Sequence, residues 1–238
     1  MADIYDILEQ RHVAQSLRVM ASQCPFVVLP QIKRMWVNNW AMSPDYAPEI
    51  TWDKRRANIE ANARGEAGWL EKAGLLVSSS IKMPWPPPFP IDPRKSLDAQ
   101  IIDIAERNEN WSFGRRTHLR VLAPTEKLVE VLGIDDPIPS LSLVRDQMKR
   151  ADFDFFVPRI FFAEWVTRLD TLPNVKKTMR VRVEPHPNEP QAERLIVDEN
   201  GDRSTVPIYI ATSKSAGEVR RLVDIVARRH PNEQIEFL

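Results

Sequence analysis

Cysteine is almost absent from this chain: Cys24 is the only one in 238 residues. A lone thiol excludes an intramolecular disulfide, a Cys-x-x-Cys redox pair and a cysteine zinc cluster. It also implies a setting in which disulfides are not used for stability. Glycine is scarce too. The 7 glycines are about 3% of the chain where ~7% is usual. Few places therefore exist where backbone can close around a phosphate, which lowers the expectation of a nucleotide-dependent enzyme. No apolar run is long enough to cross a bilayer. Net charge is absent as well, since 33 Lys+Arg balance 33 Asp+Glu. That balance argues against a protein that wraps nucleic acid over most of its surface, while permitting a local basic face.

Catalytic signatures are also missing. His12, His118, His186 and His230 show no metal-ligand spacing. There is no G-x-S-x-G elbow, no Walker loop and no G-x-G-x-x-G. The carboxylate pairs Asp135/Asp136 and Asp152/Asp154 have nothing beside them that marks an acid–base site. The expectation is a protein that is not an enzyme, with no metal, no cofactor and no small-molecule substrate.

What is abundant is apolar content, at 43%, and proline, with 20 residues. The pattern predicts a helix from Asp3 with Ile4, Ile7, Ala14, Leu17 and Ala21 on one stripe. A second helix over Gln31–Ala41 places Trp36 and Trp40 one turn apart, a spacing that serves core packing before it serves a partner. Thr51 can cap a long helix, Trp52 to Ala73, stopped by Gly74, and Leu75–Ile81 reads as a strand or extended strap. Met83 to Pro93 must be polyproline-like, because proline fixes φ and lacks an N–H donor. Its Pro84-to-Pro87 spacing matches an SH3 or WW ligand. A rigid strap anchored on a surface by Trp85 and Phe89 is the preferred reading. This strap marks the expected boundary between an extension (1–92) and a main domain (93–238).

Beyond it, Ser96 caps a helix over Leu97–Glu109. Thr117–Leu122 alternates as a strand, and Thr125 caps Glu126–Leu132 with Gly133 just past its end. Ser140 to Arg150 reads as a helix, and so does the aromatic run Phe153–Leu169. Asn174–Glu184 alternates, with Lys176, Arg180 and Arg182 on one face. Together with Lys177 they form a basic segment that can contact phosphate or an acidic partner, or simply blunt an exposed sheet edge. Asn200-Gly201 lies between the strand patterns Arg194–Val197 and Val206–Ala211 and signals a hairpin. Ser215 and Glu218 form a capping box for the last helix. The adjoining Thr212-Ser213-Lys214 could hold an anion at that helix start, though capping alone accounts for it.

The run Phe155-Phe156-Val157-Pro158-Arg159-Ile160, then Pro173-Asn174-Val175 into a strand, then the Asn-Gly hairpin, then Lys214-Ser215 opening the closing helix, resembles a known family. It is the cysteine-less thioredoxin-like domain of mitochondrial small- and large-subunit ribosomal proteins and of an accessory subunit of respiratory complex I. The resemblance spans about 153–230, with Thr117–Leu122 as first strand. It implies an α/β fold with a thioredoxin-like mixed sheet in the C-terminal half, behind a mainly helical N-terminal extension. The function it implies is that of a non-enzymatic structural component of a large assembly. The mitochondrial ribosome leads, with contacts to rRNA and to neighbouring proteins; a complex I accessory subunit or a virion or other assembly protein are the alternatives. Localisation would be the mitochondrial matrix, or the cytoplasm. Three acids among the first nine residues are unlike a cleavable transit peptide.

Overall fold

The computed structural model describes residues 4–41, 52–87, 95–135, 137, 146, 148–149, 153–169, 179–181, 190, 192–197, 203–231 and 235–237. The fold is mixed α/β and mostly helical. The expected first helix is two, α1 (Ile4–Glu9) and α2 (Arg11–Ser22), because Gln10 between them is extended, with ψ 105°. The apolar stripe survives the break: Ile7, Leu17 and Ala21 are all buried. The next helix, α3 (Leu29–Ala41), carries Pro30 in its first turn, where a missing N–H is not needed. Trp36 and Trp40 are core residues. Helix α4 (Trp52–Lys72) ends before Gly74, whose φ of +74° supplies the left-handed turn that stops it.

Two sheets follow from the pairing. The first has the order β1-β3-β2, with β1 (Val27–Val28), β2 (Leu76–Pro84) and β3 (Arg116–Pro124) antiparallel throughout. Two expectations are corrected here. The strand Thr117–Leu122 does not open a C-terminal sheet; it is part of β3, which pairs with Leu76–Pro84 over nine residue pairs. The division expected between residues 92 and 93 is therefore crossed by a full-length ladder, and Met83 and Pro84 belong to a strand rather than to a strap. The physical reason is matched alternation. Ile81 lies across from Leu119, and both are buried, while the neighbouring pair Lys82 and His118 is exposed. A strand with one apolar face takes the partner whose apolar face falls in the same register. Pro84 ends β2 on the sheet's edge, where a residue without an N–H is tolerated.

The second sheet has the order β4-β5-β6-β7, formed by β4 (Met179–Val181), β5 (Ala192–Val197), β6 (Arg203–Tyr209) and β7 (Glu236–Phe237). The hairpin β5–β6 stands where the Asn-Gly signal placed it, and β4 pairs antiparallel beside it. Helix α8 (Ala216–Arg229) then returns the chain so that β7 pairs parallel to β6. Ser215 caps it, its hydroxyl accepting from the Glu218 N–H at 3.4 Å.

Between the sheets in sequence lie α5 (Leu97–Ser112), α6 (Glu126–Leu132) and α7 (Phe153–Leu169). Thr125 caps α6, and Gly133 closes it with φ +57°. Residues 160–167 of α7 are buried on every side, as an all-round apolar helix must be. It joins α2, α3, α4 and the first sheet in one core that includes Leu17, Trp36, Leu70, Val121, Phe156 and Ile160. A smaller core joins Ile101, Ile104 and Ala105 of α5 to Ala211, Val219 and Val223. Helix α5 thus has one face on α8 and a neighbouring one toward β2 and α7.

Candidate functional site

Of the residues singled out for partner contact, Lys176, Lys177, Arg182 and Phe89 lie outside the described residues. So does most of the helix expected between Ser140 and Arg150. Arg180 stands on β4, the edge strand of its sheet, in register with Glu193 of β5. Trp85, half-buried, packs against the main core just beyond β2.

One buried polar cluster among the described residues is one the sequence reading missed. Glu164 sits on α7 with its side chain 1% exposed. Arg34 of α3 donates to it at 2.7 Å, and the Gln31 side-chain amide donates at 3.2 Å. Gln31 also donates to the Ile160 carbonyl at 2.9 Å and accepts from the Val28 N–H at 3.0 Å. Arg34 reaches Thr167 Oγ1, and Asn38 donates to the Thr167 carbonyl. The signal was present: Glu164 is the sole acid in the buried stretch 160–167, and a charge there must be paired. Its oxygens are taken by donors on the neighbouring helix. The arrangement locks α3 to α7 and leaves no free base facing a substrate.

The hydroxyls of 213–215 are likewise committed. Ser213 Oγ accepts from the Ser215 N–H and donates to Glu218, while Ser215 Oγ caps the helix. Asn108 of α5 donates to the carbonyls of Ala211 and Ser213, at 2.7 and 2.9 Å. Capping, not anion binding, is the role of this segment's hydroxyls.

What remains outward is the corner where α5 becomes β3. Trp111 turns inward, edge-on to Phe161 of α7 at 5.0 Å. Two residues later Phe113 turns outward and is 80% exposed; among the described residues Tyr5 and Trp69 are the other exposed aromatics, at 65% and 37%. Gly114 makes the turn: a Cβ there would lie 2.9 Å from the Trp111 carbonyl and 3.2 Å from Pro84 Cβ. Arg115 and Arg116 follow, both exposed. The outer face of the ribbon then pairs Lys82 with His118 and Ser80 with Arg120. Glu71 of α4 accepts from both Arg120 and Ser78. Lys82 and Arg115 make no ion pair among the described residues. Lys214 holds its ammonium 6.0 Å from the centre of the Phe113 ring.

Other titratable groups are tuned by burial. The Cys24 thiol is pushed up to about 12 by complete burial, which makes it a packing group rather than a nucleophile. Arg107 of α5 is brought down to about 10 by burial, partly offset by Asp103. Its Nε and Nη2 are buried without a hydrogen-bond partner. Among the described residues no group of three or more His, Cys, Asp or Glu side chains could hold a metal ion, and no helix is long and apolar enough to cross a membrane.

No protein-family model, no curated protein and no solved structure matches this chain.

Proposed function

We propose that this chain is a non-catalytic structural component of a larger assembly, docking through the α5–β3 corner. The observation that carries the reading is Phe113, 80% exposed beside Arg115 and Arg116. Hydrophobic residues scattered singly on a surface are normal, so the weight falls on the setting of this one. A nearly bare phenylalanine ring at the tip of a glycine turn, flanked by guanidinium groups, has the composition of a contact anchor. Leu97 and Ile102 on the same helix add apolar surface for protein neighbours, at 52% and 48% exposure.

The particular assembly proposed is the mitochondrial ribosome, with the basic segment 176–182 as its second contact. Support comes from the hairpin β5–β6, the strand β4 beside it and the Ser215-capped helix, the parts of the thioredoxin-like resemblance present in the second sheet. The strand Thr117–Leu122 lends it none, since it belongs to the other sheet. The test is sedimentation of the tagged full chain from cell extract. Migration with ribosomal particles supports the reading. Migration with a detergent-solubilised respiratory complex supports the accessory-subunit alternative. Recovery only as a free monomer, or a measured turnover by the purified chain, overturns both.

A further inference from the structure

We propose that the partner at the α5–β3 corner is a single strand of nucleic acid, with Phe113 as its stacking platform and Lys214, Arg115, Lys82 and His118 along its phosphates. The inference deepens the assembly reading and rests on the same corner.

Continuity of the surface comes first. Lys214 lies over the Phe113 ring. Gly114 touches Pro84, and Pro84 stands across from Arg116. Two residues along, Lys82 stands across from His118 on the same outward face. From Lys214 to Lys82 the exposed groups are therefore neighbours in one path. Alternate residues on a strand repeat about every 7 Å, a spacing on the scale of successive phosphates in an extended strand. Arg116 and His118 follow that repeat along β3, and the exposed Ser80 is the next residue on the same face of β2 after Lys82.

Charge and shape then select the occupant. Lys82, Arg115 and Lys214 place three cations along this path, and none has a carboxylate partner among the described residues. Arg120, farther along β3, is paired with Glu71. An acidic protein segment would satisfy the charge, but it gives no reason for a bare aromatic ring in the midst of the cations. A nucleic-acid single strand gives one, because every base offers a face that stacks on phenylalanine while its phosphate meets a neighbouring guanidinium or ammonium. A duplex, whose bases are already stacked, leaves Phe113 unused.

The experiment is fluorescence anisotropy of a labelled twelve-nucleotide single strand, as RNA and as DNA, titrated with the full chain at a series of salt concentrations. Binding of either is expected. With three cations free of carboxylate partners, the logarithm of affinity should fall with log salt at a slope of about −2, on the basis of roughly −0.7 for each phosphate neutralised on a single strand. Phe113→Ala, at an exposed site that should not disturb folding, should weaken binding about 5- to 150-fold, the range for one lost stack. The double variant K82A/R115A should flatten the slope to about −0.7. Unchanged thermal unfolding of both variants shows that the fold is intact. Three results overturn the proposal: no binding at low salt, equal binding of polyglutamate or of duplex, or wild-type affinity in Phe113→Ala. Its failure is separable from that of the assembly reading. A chain that sediments with a particle but ignores the oligonucleotide sinks the nucleic-acid partner alone, whereas a monomer that binds as described sinks the assembly alone.

Discussion

Replacing Arg34 by methionine should destabilise the protein more than replacing the acid it serves. Glu164 is 1% exposed at its side chain and Arg34 30%. Without Arg34, the buried carboxylate loses its charged donor at 2.7 Å and keeps the Gln31 amide at 3.2 Å. Stranding a buried charge by removing its partner costs about 3–5 kcal/mol. The partly exposed guanidinium lies on a route by which water can reach the vacated space, so the low end, about 3 kcal/mol, applies. Glu164→Leu is gentler, because Arg34 can turn toward solvent and Gln31 still donates to the Ile160 carbonyl; about 1–2 kcal/mol is expected. The double variant R34M/E164L removes both ends of the pair and should lie within about 1 kcal/mol of wild type. The resulting coupling in a double-mutant cycle is about 3 kcal/mol. Urea unfolding followed by far-ultraviolet circular dichroism measures all four species. A smaller loss for Arg34→Met than for Glu164→Leu would refute the claim that burial of the acid, not the contact itself, sets the cost.

Three further outcomes follow from single groups. Thr125→Ala removes the cap of α6 and the hydroxyl's 2.8 Å bond to the Gly74 carbonyl, which should cost about 1–2 kcal/mol in the same urea assay; an unchanged midpoint contradicts it. His12 is held below its ordinary 6.5 by burial and, secondarily, by Arg55, so the folded state favours the neutral ring. Its contribution is whole above pH 6.5 and is lost as pH falls from there toward the depressed folded value. Thermal melts of His12→Asn should therefore show a shallower decline than wild type on acidification through that window, and parallel declines would count against it. Cys24, fully buried with its thiol raised to about 12, should resist a thiol-labelling disulfide reagent in the native protein and react promptly in urea. Prompt native labelling would show that the α2–β1 junction opens.

Local elements were legible because their signals are local. Thr125 and Gly133 bracket α6 at the expected residues, Ser96 and Ser215 each accept from the N–H three residues on, and Gly74 stops α4. The hairpin β5–β6 follows from its turn. Pairing of distant strands was not legible, because alternation states which face is apolar but not which strand will cover it. The partner of Thr117–Leu122 was assigned by resemblance and proved to be Leu76–Pro84. Polar burial was hidden for the same reason. Gln31 and Arg34 lie 133 and 130 residues from Glu164 in sequence, and only packing brings them together. The α5–β3 corner was missed because Phe113 reads as one more aromatic of a helix end. Its exposure is decided by Gly114, which turns the chain so that Trp111 takes the inward place.

The same turn explains why the outward aromatic and the cations occur together. Helix α5 is fixed inward on one face by Ile101, Ile104 and Asn108 against the segment around Ala211 and α8, and near its end by Trp111 against α7. With those faces committed, only the residues at its C-terminal exit are free to vary in direction. Gly114 against Pro84 then places the start of β3 beside the end of β2, so the exit residues and the outer ribbon face become one surface. A bulkier residue at 114 would disturb that join before it disturbed either core. Gly114→Ala should therefore weaken oligonucleotide binding and also lower stability in the urea assay, by about 0.5–3 kcal/mol, since the added Cβ meets a backbone carbonyl at 2.9 Å and the buried Pro84 at 3.2 Å. Loss of stability without loss of binding would show that the corner is a structural joint and not a binding surface.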